Sequence, residues 1–264
     1  MWFNNLMDDL RKAFLVSNEY RGIFVPIFLK LAMNIVVGIV IVVGVITSIA
    51  AGSFAGIAGA NPIEVAIGII GPTALFILTG YVLYIVLYSL IEVGSINLYK
   101  VALSGQKPVK ADFTDVIKSY IGKVISGKLL IHFLVVILSP IIIILYLIYV
   151  VLIGTLTGGW ALILLSVIID MYFATWTIAI VNDGLGVSSA IGKSFRFAKA
   201  HHKAMFILIL SLVMVTQYAV TIFGPLGAVF LGWFIGGVLR TYFKMGVYIT
   251  YLRYENVSYE VEGK

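Results

Sequence analysis

Asp170 lies about ten residues into an apolar run that opens at Trp160, roughly 15 Å along a helix that rises about 1.5 Å per residue. A lone carboxylate at that depth of a bilayer costs about 2.5 to 3.5 kcal/mol on insertion scales. It must be protonated, paired or in contact with water. Arg240 and Lys244, one helical turn apart on one face, are cations within the last apolar run. Lys30 and Asn34 share a face of the first apolar run in the same way, Glu92 ends the second run, and His132 opens the third. Gathered at one end of a helix bundle, Asp170, Arg240, Lys244, Lys30, Asn34, His132 and Glu92 would line a polar cavity. Its cations, Lys30, Arg240 and Lys244, outnumber the carboxylates of Asp170 and Glu92, which favours an anionic headgroup or a small anion as ligand. The competing reading makes Asp170 and Arg240 an internal ion pair that fixes helix order, while Lys30, Lys244 and Glu92 reach out to the interface.

Other chemistry is sparse. The chain has no His-Glu-x-x-His, no phosphate-cradling glycine loop with its lysine, and no Gly-x-Ser-x-Gly elbow. Cysteine is absent, which removes disulfides, thiolate nucleophiles and thiolate metal ligands. His201 and His202 are neighbours, so on a helix they point about 100° apart and cannot easily share one metal. The expectation is a protein that is not an enzyme, with no catalytic residues, no cofactor, no metal and no nucleic-acid partner.

The elements that must hold these side chains follow from composition. Hydrophobic residues make up 61% of the 264 positions and charged residues 11%, against about 25% charged in soluble domains. An all-α, polytopic membrane protein is expected. The apolar runs, each long enough for a hydrocarbon core about 30 Å thick, are 23–49, 65–91, 129–153, 160–181, 205–223 and 226–251. They read as six transmembrane helices paired into three outward hairpins within one integral membrane domain, 1–264. The first run exceeds the roughly 7 to 15 residues of a signal-peptide core. None of the 18 lysines and arginines falls in the short joins "AAGSFAGIAGANPIE", "GTLTGGW" and "FGPLG". Because basic residues gather on the cytoplasmic side of short loops, the long joins and both termini are expected there, in a cell membrane.

Between the second and third runs lies "ADFTDVIKSYIGKVISGK", where Phe113, Val116, Ile117, Tyr120, Ile121, Val124 and Ile125 recur at three- and four-residue steps. That period makes an apolar stripe on a helix. The pattern predicts surface helices at 112–126, at 187–200 and at 2–20, lying on the cytoplasmic leaflet with the apolar stripe against lipid. Lys118, Lys123, Lys193, Arg196 and Lys199 would then reach the headgroups. "DLRKAF", "DVIKSY" and "AIGKSF" align on Lys12, Lys118 and Lys193, which suggests a threefold repeat of surface helix plus hairpin.

Two segments, "IVNDGLGVSSAIGKSFRFAKAHHKAMFILIL" and "LSGQKPVKADFTDVIKSYIGKVISGK", carry a resemblance. The first joins a span end, an acidic-Gly turn, a basic helix and a further span. It resembles a recurring element of uncharacterised archaeal and bacterial multi-pass proteins, a group similar to the membrane domain that precedes some bacterial glycerophosphodiester phosphodiesterases. The resemblance implies a fold and a location, and brings no catalytic residues with it. Elsewhere, Gly232-x-x-x-Gly236 offers a flat helix face for packing within the chain or for a homo-oligomer. Gly71-Pro72 and Ser139-Pro140 predict kinks.

Two functions are consistent with these residues. One is a transport or ligand-holding component with a cytoplasm-facing cavity, for an anionic or lipid-like ligand. The other is a scaffold or partner subunit whose basic helices bind membrane lipids or a cytoplasmic or membrane protein.

Overall fold

The computed structural model describes residues 2–59, 61–153, 155–222 and 233–255, and every regular element among them is a helix. In chain order these are α1 (Trp2–Glu19), a short 3-10 turn (Arg21–Phe24), α2 (Val25–Ile57), α3 (Pro62–Leu103) and α4 (Lys110–Ile153). There follow α5 (Thr155–Phe173), α6 (Trp176–Asp183), α7 (Val187–Ala200), α8 (His202–Ile222) and α9 (Trp233–Tyr254). Four described stretches are long and apolar enough to cross a membrane: Arg21–Ile57, Pro62–Leu103, Lys110–Val151 and Trp160–Asp183. A fifth arises if α7 and the start of α8 form one span, bent by 103°. The chain is a helical membrane protein. The expected spans at 205–223 and 226–251 both run into residues 223–232, which, with Gly232, lie outside the described residues.

Local sequence sets the helix ends. Asn61 accepts a hydrogen bond from the Ile63 amide at 3.0 Å, with Pro62 opening α3, the preferred order of cap and first-turn proline. Asp112 reaches back to the Val109 amide at 2.7 Å and caps α4. Gly105, at φ 76°, ends α3 in the left-handed region that only glycine enters at little cost.

The chain divides into two compact units. The smaller, Phe28–Ile91, is an antiparallel pair made by most of α2 and the first part of α3. Gly52 meets Ile69, Gly44 meets Phe76, and Gly80 meets Ile41; as the α2 number falls the α3 number rises. Small residues at each crossing let the two backbones approach. Met33, Val37 and Ile91 form a small core with Leu83, Leu87 and Tyr88 against it.

The larger unit, Met1–Ile27 with Glu92–Lys264, keeps its packed core among the charge-bearing segments. Ala13, Val16 and Ile23 meet Val93, Ile96 and Tyr99 of α3, Val124 of α4, Trp176 and Ile178–Val181 of α6, and Tyr248, Tyr251 and Leu252 of α9. By contrast, none of the apolar window of Lys110–Val151 is buried inside the protein, as a lipid-facing segment requires.

Two of the three expected surface helices differ from the prediction. Residues 112–126 are not a separate element but the first turns of α4, a 44-residue helix whose length of about 66 Å is twice a hydrocarbon core of about 30 Å. Nothing stops the helix at Gly127: a side chain there would meet the Trp176 ring, and Lys128 is tied to Glu92. The stripe of Val116, Ile117, Tyr120 and Val124 therefore packs on protein. The helix at 2–20 runs alongside α9 instead of alone on lipid. Asp9 meets Thr250 and Arg253, Ser17 meets Met245, and Asn18 meets Tyr242, so the two helices are antiparallel. Only α7, turned 103° from α8, keeps the orientation expected of a helix lying across a span. The predicted span at 160–181 is also interrupted, between Phe173 and Trp176.

Candidate functional site

A polar clasp closes the large unit where α6 ends. Gly184, at φ 70°, turns the chain out of α6 and leaves the Asn182 and Asp183 side chains at the helix terminus. Asp183 accepts a hydrogen bond from the Tyr251 hydroxyl of α9, another from Asn182 Nδ2 at 2.8 Å, and the Lys193 ammonium at 3.0 Å. Lys193 also pairs with Glu255 at 2.7 Å and stands over the Tyr251 ring. The Tyr248 hydroxyl donates to Asn182 Oδ1 at 3.2 Å, and Lys123 donates to the Gly184 carbonyl at 3.1 Å. Helices α4, α6, α7 and α9 are thereby joined by one network.

A second clasp joins the chain's two end helices. Asp9 is fully buried, with Thr250 Oγ1 at 3.0 Å and the Arg253 guanidinium at 2.8 Å. Burial raises its carboxyl above the usual 3.8, opposed by the nearby Arg253 charge and the Thr250 hydrogen bond. Lys12, on the same helix, is held below its ordinary value by burial and by Arg253.

The predicted cavity residues fall into separate groups. Lys30 stands over the Tyr88 ring at 5.4 Å within the smaller unit, and Asn34 is exposed on the same helix. Glu92 pairs with Lys128 at 2.5 Å. His132 Nδ1 lies 2.7 Å from the Lys128 carbonyl, so the ring proton sits on Nδ1 in that contact. Asp170 is exposed, and the charge that acts on it is that of Lys244. Among the described residues Arg240 makes no ion pair with a carboxylate, and its Nε is buried without an acceptor.

Of the expected headgroup lysines, Lys193 is committed to Asp183 and Glu255, and Lys123 to a backbone carbonyl. Lys118, Arg196 and Lys199 are exposed. No three His, Asp or Glu side chains among the described residues converge as a metal site would need.

No protein family, curated protein or solved structure matches the chain.

Sequence reasoning missed Asp9, Lys128, Asp183, Tyr251 and Glu255. For Asp183 a signal was present: an acidic residue before glycine at the end of an apolar run, ten positions ahead of Lys193. Asp9 gave none, because its partners lie more than two hundred residues away.

Proposed function

We propose that this protein is a multi-pass membrane component, with both termini cytoplasmic, that binds the anionic lipid of the inner leaflet through the basic face of α7. The observation that carries the reading is the 103° turn between α7 and α8. If α8 crosses the bilayer, α7 lies along its surface. Ala190, Ser194, Phe197 and Ala198 hold α7 to the protein, which leaves Arg196 and Lys199 outward. Lys199 is within one turn of the bend at His201, which on this reading lies at the membrane surface. Each such cation contributes about 1 kcal/mol of attraction near an anionic surface.

The test is lipid selectivity in proteoliposomes. Spin-labelled phosphatidylglycerol is expected to be enriched over phosphatidylcholine at the protein surface, and Arg196→Gln with Lys199→Gln should cut that enrichment several-fold. Unchanged selectivity would exclude α7 as the lipid-binding face.

A ligand-holding role is the second reading, favoured by one observation. Asp170 lies within the apolar stretch Trp160–Asp183, and ionisable groups in such stretches are often functional. Asp170→Asn should then abolish ligand binding in a folded protein.

A further inference from the structure

Two turns of the chain meet beside the start of α2, and both carry cations that the internal contacts leave unused. The Tyr20 hydroxyl donates to the Gly105 carbonyl at 2.9 Å. Gly22 lies against Pro108, whose carbonyl oxygen would stand 3.5 Å from a Cβ at position 22. The turn between α3 and α4 is held by its own geometry: Gly105 takes φ 76°, and Asp112 accepts the Val109 amide at 2.7 Å. Arg21 precedes Gly22 and Lys107 precedes Pro108, so each begins about 3.8 Å along the backbone from that contact. Lys110 follows two residues after Pro108. All three are exposed, and none belongs to the ion pairs among the described residues. Of the carboxylates in residues 19–22 and 105–112, Asp112 is committed to the Val109 amide, and Glu19 acts on the Tyr20 hydroxyl. Helix stability does not account for Lys110 either. It opens α4, where the helix dipole disfavours a cation and favours an anion.

The cluster stands where the stretch Arg21–Ile57, long and apolar enough to cross a membrane, begins. Beside the cations, Val25 and Val109 are 49% and 54% exposed, so charge and bare apolar surface adjoin. An anionic phospholipid presents the matching pair, phosphate oxygens at one end and an acyl chain beyond. A guanidinium fork takes two phosphate oxygens in one plane, and each ammonium adds a point charge. We propose that Arg21, Lys107 and Lys110 bind the headgroup of one anionic phospholipid of the inner leaflet at the entry to α2. The site shares with the α7 reading only the cytoplasmic placement of the N-terminus. It calls for a single lipid fixed by two joined turns, where α7 gathers an enriched shell.

The full-length protein, purified from a membrane of phosphatidylglycerol and phosphatidylethanolamine, is examined by native mass spectrometry. One retained phosphatidylglycerol per chain is expected. Combining Arg21→Gln, Lys107→Gln and Lys110→Gln should reduce it about tenfold or more, whereas Lys107→Arg with Lys110→Arg, which preserves charge, should keep it. Arg196→Gln with Lys199→Gln should keep it too. Loss in that pair, with retention in the triple variant, would move the bound lipid to α7, overturning this site and sparing that reading. Equal retention by wild type and triple variant, or no retained phosphatidylglycerol in either, would also overturn the proposal. Val109→Cys, at an exposed position beside the cations and carrying a spin label, tests the placement without relying on lipid retention. In liposomes of phosphatidylglycerol and phosphatidylcholine, adding a nickel-chelating lipid should speed relaxation of the label. Unchanged relaxation would remove the cluster from the headgroup layer and refute the site.

Discussion

The Ser194 hydroxyl lies 2.9 Å from Thr175 Oγ1, and through this contact α7 fills the gap where α5 stops and α6 begins. It also accepts the Thr175 amide at 3.3 Å and donates to the Tyr172 carbonyl at 2.7 Å. An interrupted helix leaves backbone groups without partners, and a membrane offers no water to satisfy them. One hydroxyl from a neighbouring helix supplies what the break lacks. Both Thr175 and Ser194 are completely buried.

Ser194→Ala should therefore destabilise the protein by about 1 to 3 kcal/mol, the cost of leaving buried polar groups unmatched. Ser189→Ala, on the exposed side of the same helix, should have little effect. Thermal melting of the two variants in detergent compares them directly. Equal melting temperatures would show that the break does not depend on this hydroxyl.

Glycine at 127 is required by packing rather than by backbone angle. A methyl group there would overlap the Trp176 ring and stand 3.1 Å from Val187 Cγ1. Gly127→Ala should cost about 1 to 3 kcal/mol through overpacking. At Gly122, five residues earlier on the same helix, a Cβ meets nothing within 4 Å, and alanine should stabilise by about 1 kcal/mol through helix propensity. Chemical denaturation of both variants should give opposite signs; the same sign would contradict the contact at Trp176.

Asp9 gives the clasp between α1 and α9 a definite dependence on pH. Its folded carboxyl titrates above the unfolded value of 3.8 because burial disfavours the charge. The folded state therefore holds its proton where the unfolded state has lost it. The stabilisation from this group is complete below pH 3.8 and is lost as pH rises through the folded value. Asp9→Asn keeps an acceptor for Thr250 and cannot ionise, so its stability should lack this decline. Melting curves for wild type and variant across the acid range would show it, and parallel profiles would refute it.

Periodicity in the sequence located the apolar stripe of 112–126, and Phe113, Val116, Ile117, Tyr120 and Val124 are all at least partly buried. It could not tell which surface covers them. Burial against protein and burial in acyl chains select the same residue types, so the stripe that reads as lipid-facing packs on the core of the larger unit. Asp170 and Arg240 show the same limit: their depth in apolar runs was legible, but pairing depends on helix rotation, which spacing along one helix does not encode. The Asp183–Tyr251 contact spans 68 positions, and no local pattern marks such a pair. What the sequence states most clearly is where charge is excluded, in the long apolar runs of α2, α3 and α4.

The central claim, that the chain crosses the membrane with its basic segments inside, is tested most directly at Lys118, which is exposed on α4. The chain contains no cysteine, so Lys118→Cys carries the only thiol. A membrane-impermeant maleimide applied to intact cells should leave it unlabelled, and should label it fully once the inner face is opened. Labelling in intact cells would place this segment outside and contradict the orientation on which the lipid-binding role of α7 depends.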